Sequence, residues 1–247
     1  MANWIEATVT ENHHWNPQLF SLKISAPLQP HLAGQFVKLA LDEGDKRVAR
    51  AYSFVNAPDN RAHEFLIIEI DDGALTPKLN QLKPGDRLWV TEKPQGYLTL
   101  DELPEGKDLW LLATGTGLGP FLSILQESGV WERFSKINLV HGVRFATDLA
   151  YQPLIAKLQA QYPDRLSYVP VVSRESHNEG LSGRIPAAIE SGALESYCDT
   201  SFTPDSSQVM ICGNPAMVKD AITVLKLKGL TKNLRRKPGN ITVEQYW

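Results

Sequence analysis

The spacing of the apolar residues changes once along the chain, near residue 100, and this change limits what the chain can fold into. Before it, short segments at 4–10, 19–25, 35–41, 48–54, 65–70 and 87–90 mostly alternate apolar with polar residues. Half-buried antiparallel strands have this period. Gly34, Gly44, Pro58-Asp59, Gly73 and Pro84-Gly85 separate them, so six strands with tight turns predict a small barrel. One helix interrupts, over 76–82, with Thr76 expected at its N-cap and Pro77 in its first turn.

Residues 101–108 (DELPEGKD) are polar and read as a linker. Beyond them, strands at 109–113, 137–143, 166–172, 209–212 and 241–247 alternate with helices. The helices start near Pro120 or cover about 149–161, 185–190 and 215–227. The expected fold class is β + α/β. An N-terminal antiparallel β-barrel domain occupies 1–101, and a five-stranded parallel α/β domain occupies 102–247. Ligands of open parallel sheets bind at the carboxyl ends of the strands, so the chemistry is sought there.

Charge and cysteine content narrow the function. Lys and Arg number 25 against 28 Asp and Glu, a net charge of −3. That argues against general nucleic-acid or membrane binding. No apolar run approaches the about 18 residues of a membrane span, and MANWIEATVT lacks a secretory pattern. Cys198 and Cys212 are too few for a four-thiolate iron–sulfur site or a disulfide framework. A monomer in a reducing cytoplasm is expected. The six histidines have no metal-ligand spacing, and no Ser/His/Asp grouping stands out.

Several short motifs fall at strand ends. Thr114-Gly115-Thr116-Gly117-Leu118-Gly119-Pro120 follows the first buried strand. Its glycines let backbone approach a bulky anion at a helix N-terminus, although a ligand-free turn fits the same letters. Cys212-Gly213-Asn214-Pro215 ends the fourth parallel strand, and Gly213 leaves room there for a flat ring. A buried structural cysteine is the plainer reading. Val143-Arg144, Ser173-Arg174 and Arg184 follow the second and third strands with no carboxylate at the strand end. Guanidinium forks and a hydroxyl suit a phosphate monoester; merely exposed arginines look alike. In the barrel, Arg50-Ala51-Tyr52-Ser53 sets an aromatic beside a cation, and Gly73-Ala74-Leu75-Thr76 opens a helix as a second anion seat. The chain ends Glu244-Gln245-Tyr246-Trp247. Residues 219–237 carry seven Lys or Arg against Asp220, a local basic patch that suggests an acidic partner.

Taken in this order, the motifs resemble the ferredoxin–NADP reductase family, in its bacterial type, over essentially the whole chain. The resemblance implies an FAD- and NADP(H)-dependent oxidoreductase. Hydride passes from NADPH to flavin N5, and single electrons pass on to ferredoxin or flavodoxin. It implies that Arg50 and Thr76, with Ala51, Gly73, Ala74 and Leu75, hold the FAD pyrophosphate, and that Tyr52 stacks on the isoalloxazine. Ser53 would lie by N5. Ile67, Ile68 and Glu69 would contact the flavin through backbone groups, and Thr116 would sit near both cofactors. Gly115, Gly117, Cys212, Gly213 and Asn214 would position the nicotinamide. Val143, Arg144, Ser173, Arg174 and Arg184 would hold the adenosine phosphate end. Tyr246 would cover the flavin, Trp247 would stack on the adenine, and Glu244 is the nearest candidate for a catalytic carboxylate. The reductase component of an oxygenase, or a flavin reductase, is the alternative.

Overall fold

The computed structural model describes residues 3–60 and 62–245, and two six-stranded sheets organise it. The first is antiparallel. It holds β1 (Trp4–His14), β2 (Leu19–Ser25), β3 (Phe36–Glu43), β4 (Lys46–Ser53), β5 (His63–Ile68) and β6 (Arg87–Thr91), in the order β4-β3-β6-β1-β2-β5. The edge strands β4 and β5 meet in one isolated bridge, Phe54 to Phe65. Among the described residues no hydrogen-bonded ladder closes the barrel there.

The second sheet is parallel. It holds β7 (Asp108–Thr114), β8 (Lys136–Val143), β9 (Leu166–Val172), β10 (Leu181–Ser182), β11 (Ser207–Gly213) and β12 (Ile241–Gln245), in the order β10-β9-β8-β7-β11-β12. The chain leaves β7 toward β8 on one side and returns later to place β11 on the other. The topological switch point therefore lies between the carboxyl ends of β7 and β11. Helix α1 (Thr76–Asn80) belongs to the first half. The second half has α2 (Leu118–Leu125), α3 (Ser128–Arg133), α4 (Gln152–Gln161), α5 (Ile185–Glu190), α6 (Ala193–Cys198) and α7 (Pro215–Leu227).

Strand alternation divides β2 and β5 between two cores. Phe20, Leu22, Ile24, Phe65 and Ile67 fill the barrel, whereas Leu19 and Leu66 join the core around α2. All eight residues of α2 are buried, because the helix lies between the parallel sheet and the barrel. A helix apolar on every side requires such a place. Ser123 Oγ donates to Asn56 O at 2.7 Å and Gln126 Nε2 to Val55 O at 2.8 Å, tying α2 to the barrel.

Six parallel strands stand where five were expected. The added β10 has two residues, too few to leave a periodic signal. The short helices α3 and α6 were not expected either. The helix expected from 149 starts at Gln152, after a single 3-10 turn at Ala146–Asp148. Thr76 is not the N-cap of α1. Leu75 holds that position, and the Thr76 hydroxyl instead accepts from Ile70 N–H at 2.9 Å, closing the preceding turn. The helix stops at Asn80, short of residue 82.

Candidate active site between the two sheets

At the switch point, the two glycine motifs pack against each other. A Cβ on Gly117 would lie 2.5 Å from Cys212 O. One on Gly213, whose φ is +131°, would lie 2.2 Å from Thr114 Oγ1. The same Thr114 oxygen accepts from Asn214 N–H at 2.9 Å. Gly119 faces the barrel, where a Cβ would stand 3.4 Å from Val55 Cγ2 and 3.7 Å from Ser53 O. Only Gly115, with φ +53°, points into open space. Gly117 lets loop meet loop, and Gly119 lets helix meet barrel. Asn214 is first a helix cap, its side chain accepting from Ala216 N–H at 2.9 Å.

Buried His141 on β8 supports the open position. Its Nε2 lies 3.1 Å from Gly115 O. A carbonyl only accepts, so Nε2 carries the proton of a neutral ring. Burial pushes this histidine's pKa down to about 4.

A circuit of contacts encloses the crevice. Ser53, buried at the end of β4, pairs in register with Phe36. A Cβ on Gly96 (φ +112°) would touch Phe36 Cδ1 at 3.1 Å and Glu244 Oε2 at 3.0 Å. Glu244 pairs in register with Cys212 across β11 and β12. Cys212 packs on Gly117, and two residues on, Gly119 returns to Ser53. The Cys212 side chain is 0% exposed and belongs to the core around α2. Glu244 Oε1 is buried with no hydrogen-bond partner among the described residues. Burial pushes its carboxyl pKa up to about 7.

Along β4, Arg50 and Ala51 are exposed. The Arg50 guanidinium donates to Ala49 O at 2.7 Å. The Tyr52 hydroxyl is buried with no partner among the described residues, and burial raises its pKa. Nearby, Gly73 is half-buried and Ala74 exposed, whereas Leu75 belongs to the barrel core. The Ile67 side chain also lies in that core, and half-buried Ile68 packs against the core around α2. Asn80 donates to the Glu69 carboxylate. An unclosed barrel edge, an orphaned phenol and an exposed cation fit a flat ring system with an anionic tail.

A second cationic seat lies at the carboxyl ends of β8 and β9. Ser173 N–H donates to Val143 O at 3.1 Å and Arg174 N–H to Arg144 O at 2.9 Å. The two strand ends therefore run side by side. Gly183 N–H donates to Val172 O at 2.8 Å and brings Arg184 to the same edge. Arg144, Arg174 and Arg184 are exposed, and among the described residues none forms an ion pair. The Ser173 hydroxyl donates to Val143 O at 3.1 Å.

Two family profiles cover the chain. The Oxidoreductase FAD-binding domain matches residues 6–99, and the Oxidoreductase NAD-binding domain matches 111–223. The chain is 48% identical to the flavodoxin/ferredoxin–NADP reductase of Escherichia coli (strain K12), with 100% of both chains covered. The chain belongs to the flavodoxin/ferredoxin–NADP reductase family. It is 38% identical to the ferredoxin–NADP reductase of Pseudomonas aeruginosa, covering 99% of this chain and 98% of that one. A crystal structure of a ferredoxin NADP+ reductase from Neisseria gonorrhoeae with bound FAD and NADP superposes with a TM-score of 0.95. Its identity is 35%, with both chains fully covered.

Within this reductase family framework, the structure brings together Ser53, Gly119, Cys212 and Glu244, and separates them from the arginine edge. Thr116 is half-buried in the glycine turn. Tyr246 and Trp247 lie outside the described residues. Sequence reasoning missed Gly96 and Phe36, which carry no motif. It also passed over His141, whose signal was a polar residue inside an apolar strand.

Proposed function

We propose that this protein is an FAD-dependent reductase that moves electrons between NADPH and ferredoxin or flavodoxin. The circuit from Ser53 through Phe36, Gly96, Glu244, Cys212 and Gly117 to Gly119 carries this reading. It sets the end of a barrel strand against the switch point of a parallel sheet, so two nucleotide cofactors would meet there. When bound, the flavin and nicotinamide supply the hydride and single-electron chemistry.

The chain's own residues bind, orient and exclude water. Arg50 and the turn from Gly73 through Ala74 and Leu75 to Thr76 hold the FAD diphosphate, with Ala51 and the backbone of Ile67, Ile68 and Glu69 alongside. Tyr52 packs on the flavin ring, and Ser53 stands at its reacting edge. Gly115, Thr116, Gly117, Cys212, Gly213 and Asn214 orient the nicotinamide. Val143, Arg144, Ser173, Arg174 and Arg184 hold the phosphate end and select NADPH. From the family resemblance alone, Tyr246 would cover the flavin and yield to the nicotinamide, and Trp247 would stack on the adenine. Glu244 holds a proton beside Cys212. The FAD-binding and NADP-binding domains divide at 101/102.

The partner is an acidic electron carrier. Between Lys226 and Lys237 there are six cations and no acid. Lys228 pairs with Glu195, leaving Lys226, Lys232, Arg235, Arg236 and Lys237 exposed. Reciprocal bonds between Leu234 and Lys237, at 3.0 and 2.8 Å, set Arg235 and Arg236 at the tip of a tight turn. Asn233 anchors that turn to Glu102 O at 2.7 Å. No helix among the described residues is long and apolar enough to cross a membrane, and we place the enzyme in the cytoplasm as a monomer. The purified protein should have a flavin absorption spectrum that NADPH bleaches anaerobically and that oxidised ferredoxin or flavodoxin restores. A protein without flavin, or one that NADPH does not bleach, would overturn the reading.

A further inference from the structure

The β1–β2 turn is hydrogen-bonded to loops beside both proposed phosphate seats, and Asn16 makes the bonds to one of them. Asn16 Oδ1 accepts from Gln18 N–H at 3.0 Å and Leu19 N–H at 2.8 Å, which folds the turn on itself. Its Nδ2 donates across to the other half of the molecule, to Thr147 O and Asp148 Oδ1, both at 3.1 Å. Asp148 Oδ2 in turn accepts from Phe145 N–H at 3.2 Å, directly after Arg144. Ala146 N–H donates to Glu175 Oε1 at 2.5 Å, directly after Arg174. On its other side the turn meets residues that flank the 73–76 turn, Glu69, Asp71 and Asn80. Gln18 O accepts from Glu69 N–H at 2.7 Å, Gln18 Nε2 donates to Asp71 Oδ1 at 2.9 Å, and Asn80 Nδ2 donates to Pro17 O at 3.1 Å.

We propose that Asn16 is a positioning residue for the nucleotide. From the β1–β2 turn it fixes the Arg144–Asp148 loop relative to the 73–76 turn, so the two phosphate seats keep one spacing. The inference rests on the assignment of those seats to NADP(H) and FAD made above. The need for such a device follows from the geometry. Arg144 is exposed and forms no ion pair among the described residues, so its backbone alone sets its place. A long, flexible cation recognises a phosphate well only if its root is held. Beside Asn16 the interface has a second, buried tie. Trp15 Nε1 donates to Ser21 Oγ at 2.8 Å, Ser21 Oγ lies 2.6 Å from Tyr151 Oη, and Tyr151 Oη donates to Glu64 at 2.7 Å. That network keeps the halves together when Asn16 is changed, so the positioning role is separable from folding.

The test uses the FAD-loaded protein, with NADP+ binding followed by titration calorimetry. Steady-state NADPH oxidation by ferricyanide, FAD retention on dialysis and the melting temperature are read alongside. Asn16→Asp keeps the acceptor that folds the turn, loses the donor to Thr147 O, and sets a second carboxylate against Asp148. Its NADP+ Kd and NADPH KM should rise about five- to tenfold, with kcat within about twofold, FAD retained and melting little changed. Asn16→Asp/Asp148→Asn restores a donor–acceptor pair with the roles exchanged, and its Kd should return to within about threefold of the parent. Asn16→Ser, too short to cross to Thr147, makes the same test without charge and should weaken NADP+ at least about threefold. The proposal falls if both single variants bind NADP+ as the parent does, or if the double variant recovers nothing. It falls equally if kcat, FAD retention and melting temperature decline together with affinity. Arg144→Ala serves as the control. If it leaves NADP+ affinity unchanged, the phosphate seat itself is misassigned, whatever the Asn16 variants do.

Discussion

The reacting end of the crevice and its phosphate edge are built in opposite ways. At the reacting end, Gly117, Gly213 and Thr114 interlock at distances that leave no room for one carbon atom, and Cys212 is fully buried. At the edge, Arg144, Arg174 and Arg184 stand in solvent with no ion pair among the described residues. Hydride transfer tolerates little error in position, so packing fixes that end. A phosphate is recognised by charge and hydrogen bonds, which an exposed guanidinium offers without being part of the core. Substitutions at the packed end should therefore cost stability, and substitutions at the edge only affinity.

The largest effect is expected where packing and backbone conformation coincide. Gly213→Ala must place a methyl 2.2 Å from Thr114 Oγ1 at a φ of +131°, a region closed to other residues. We expect a loss of about 3–5 kcal/mol and a fall in melting temperature of roughly 10 °C. Thermal unfolding of the FAD-loaded protein measures both. Gly115→Ala is the contrast within the same turn. Its Cβ meets nothing within 4 Å, so only the backbone cost of about 1 kcal/mol remains. If the two variants melt alike, the division of labour among these glycines is wrong.

At the edge, Arg174→Ala should raise the NADPH KM about tenfold or more, because a charge-assisted pair to phosphate contributes roughly 1.5–3 kcal/mol. NADH use and the melting temperature should stay nearly constant. Parallel losses with both nucleotides would place Arg174 in the fold or at the nicotinamide instead.

Farther out, the turn 234–237 presents three exposed cations, Arg235, Arg236 and Lys237, beside exposed Leu234. Arg235→Glu with Arg236→Glu should slow transfer to ferredoxin or flavodoxin about tenfold at low salt. The difference from the parent should shrink as the screening length falls below about 8 Å. Ferricyanide reduction, which needs no docking, should be unaffected. A matching loss of ferricyanide activity would exclude this segment as the docking face.

The same contrast explains what the sequence disclosed. Strands with regular alternation or continuous apolar runs were legible, and α7 falls at 215–227 as expected because Asn214 and Pro215 mark its start. The arginine edge was legible because residues following a strand lie at its carboxyl end by construction. The packed end was legible only in part. That Gly117 serves Cys212 and Gly213 serves Thr114 depends on two segments about a hundred residues apart being brought together. No local pattern encodes Gly96 making room for Glu244. Thr76 was misread as a cap because its neighbour Ile70 N–H, six residues back, competes for the hydroxyl.

Glu244 gives the smallest effect and the sharpest view of the packed end, because its charge can be changed without changing its shape. Burial raises its pKa from 4.5 to about 7. Between those values the folded protein keeps a proton that the unfolded chain has released, so this group makes stability fall as pH rises through the window. Three buried histidines act in the opposite sense. His31 and His141 are pushed down from 6.5 to about 4 by burial, and burial lowers His63 as well. The unfolded chain takes protons there that the fold refuses, so stability rises with pH from 4 to 6.5. Between 4.5 and 6.5 the histidine slopes outweigh the single carboxyl slope, so the parent's urea midpoint should still climb there, but less steeply than it would without Glu244. Glu244→Gln removes the carboxyl slope and leaves the others. The variant's midpoint should climb with pH to about 6.5 and then level, whereas the parent's should decline from 6.5 toward 7. Parallel profiles for the two proteins would show that the Glu244 carboxyl titrates as an exposed group, and that the packed end does not hold its proton.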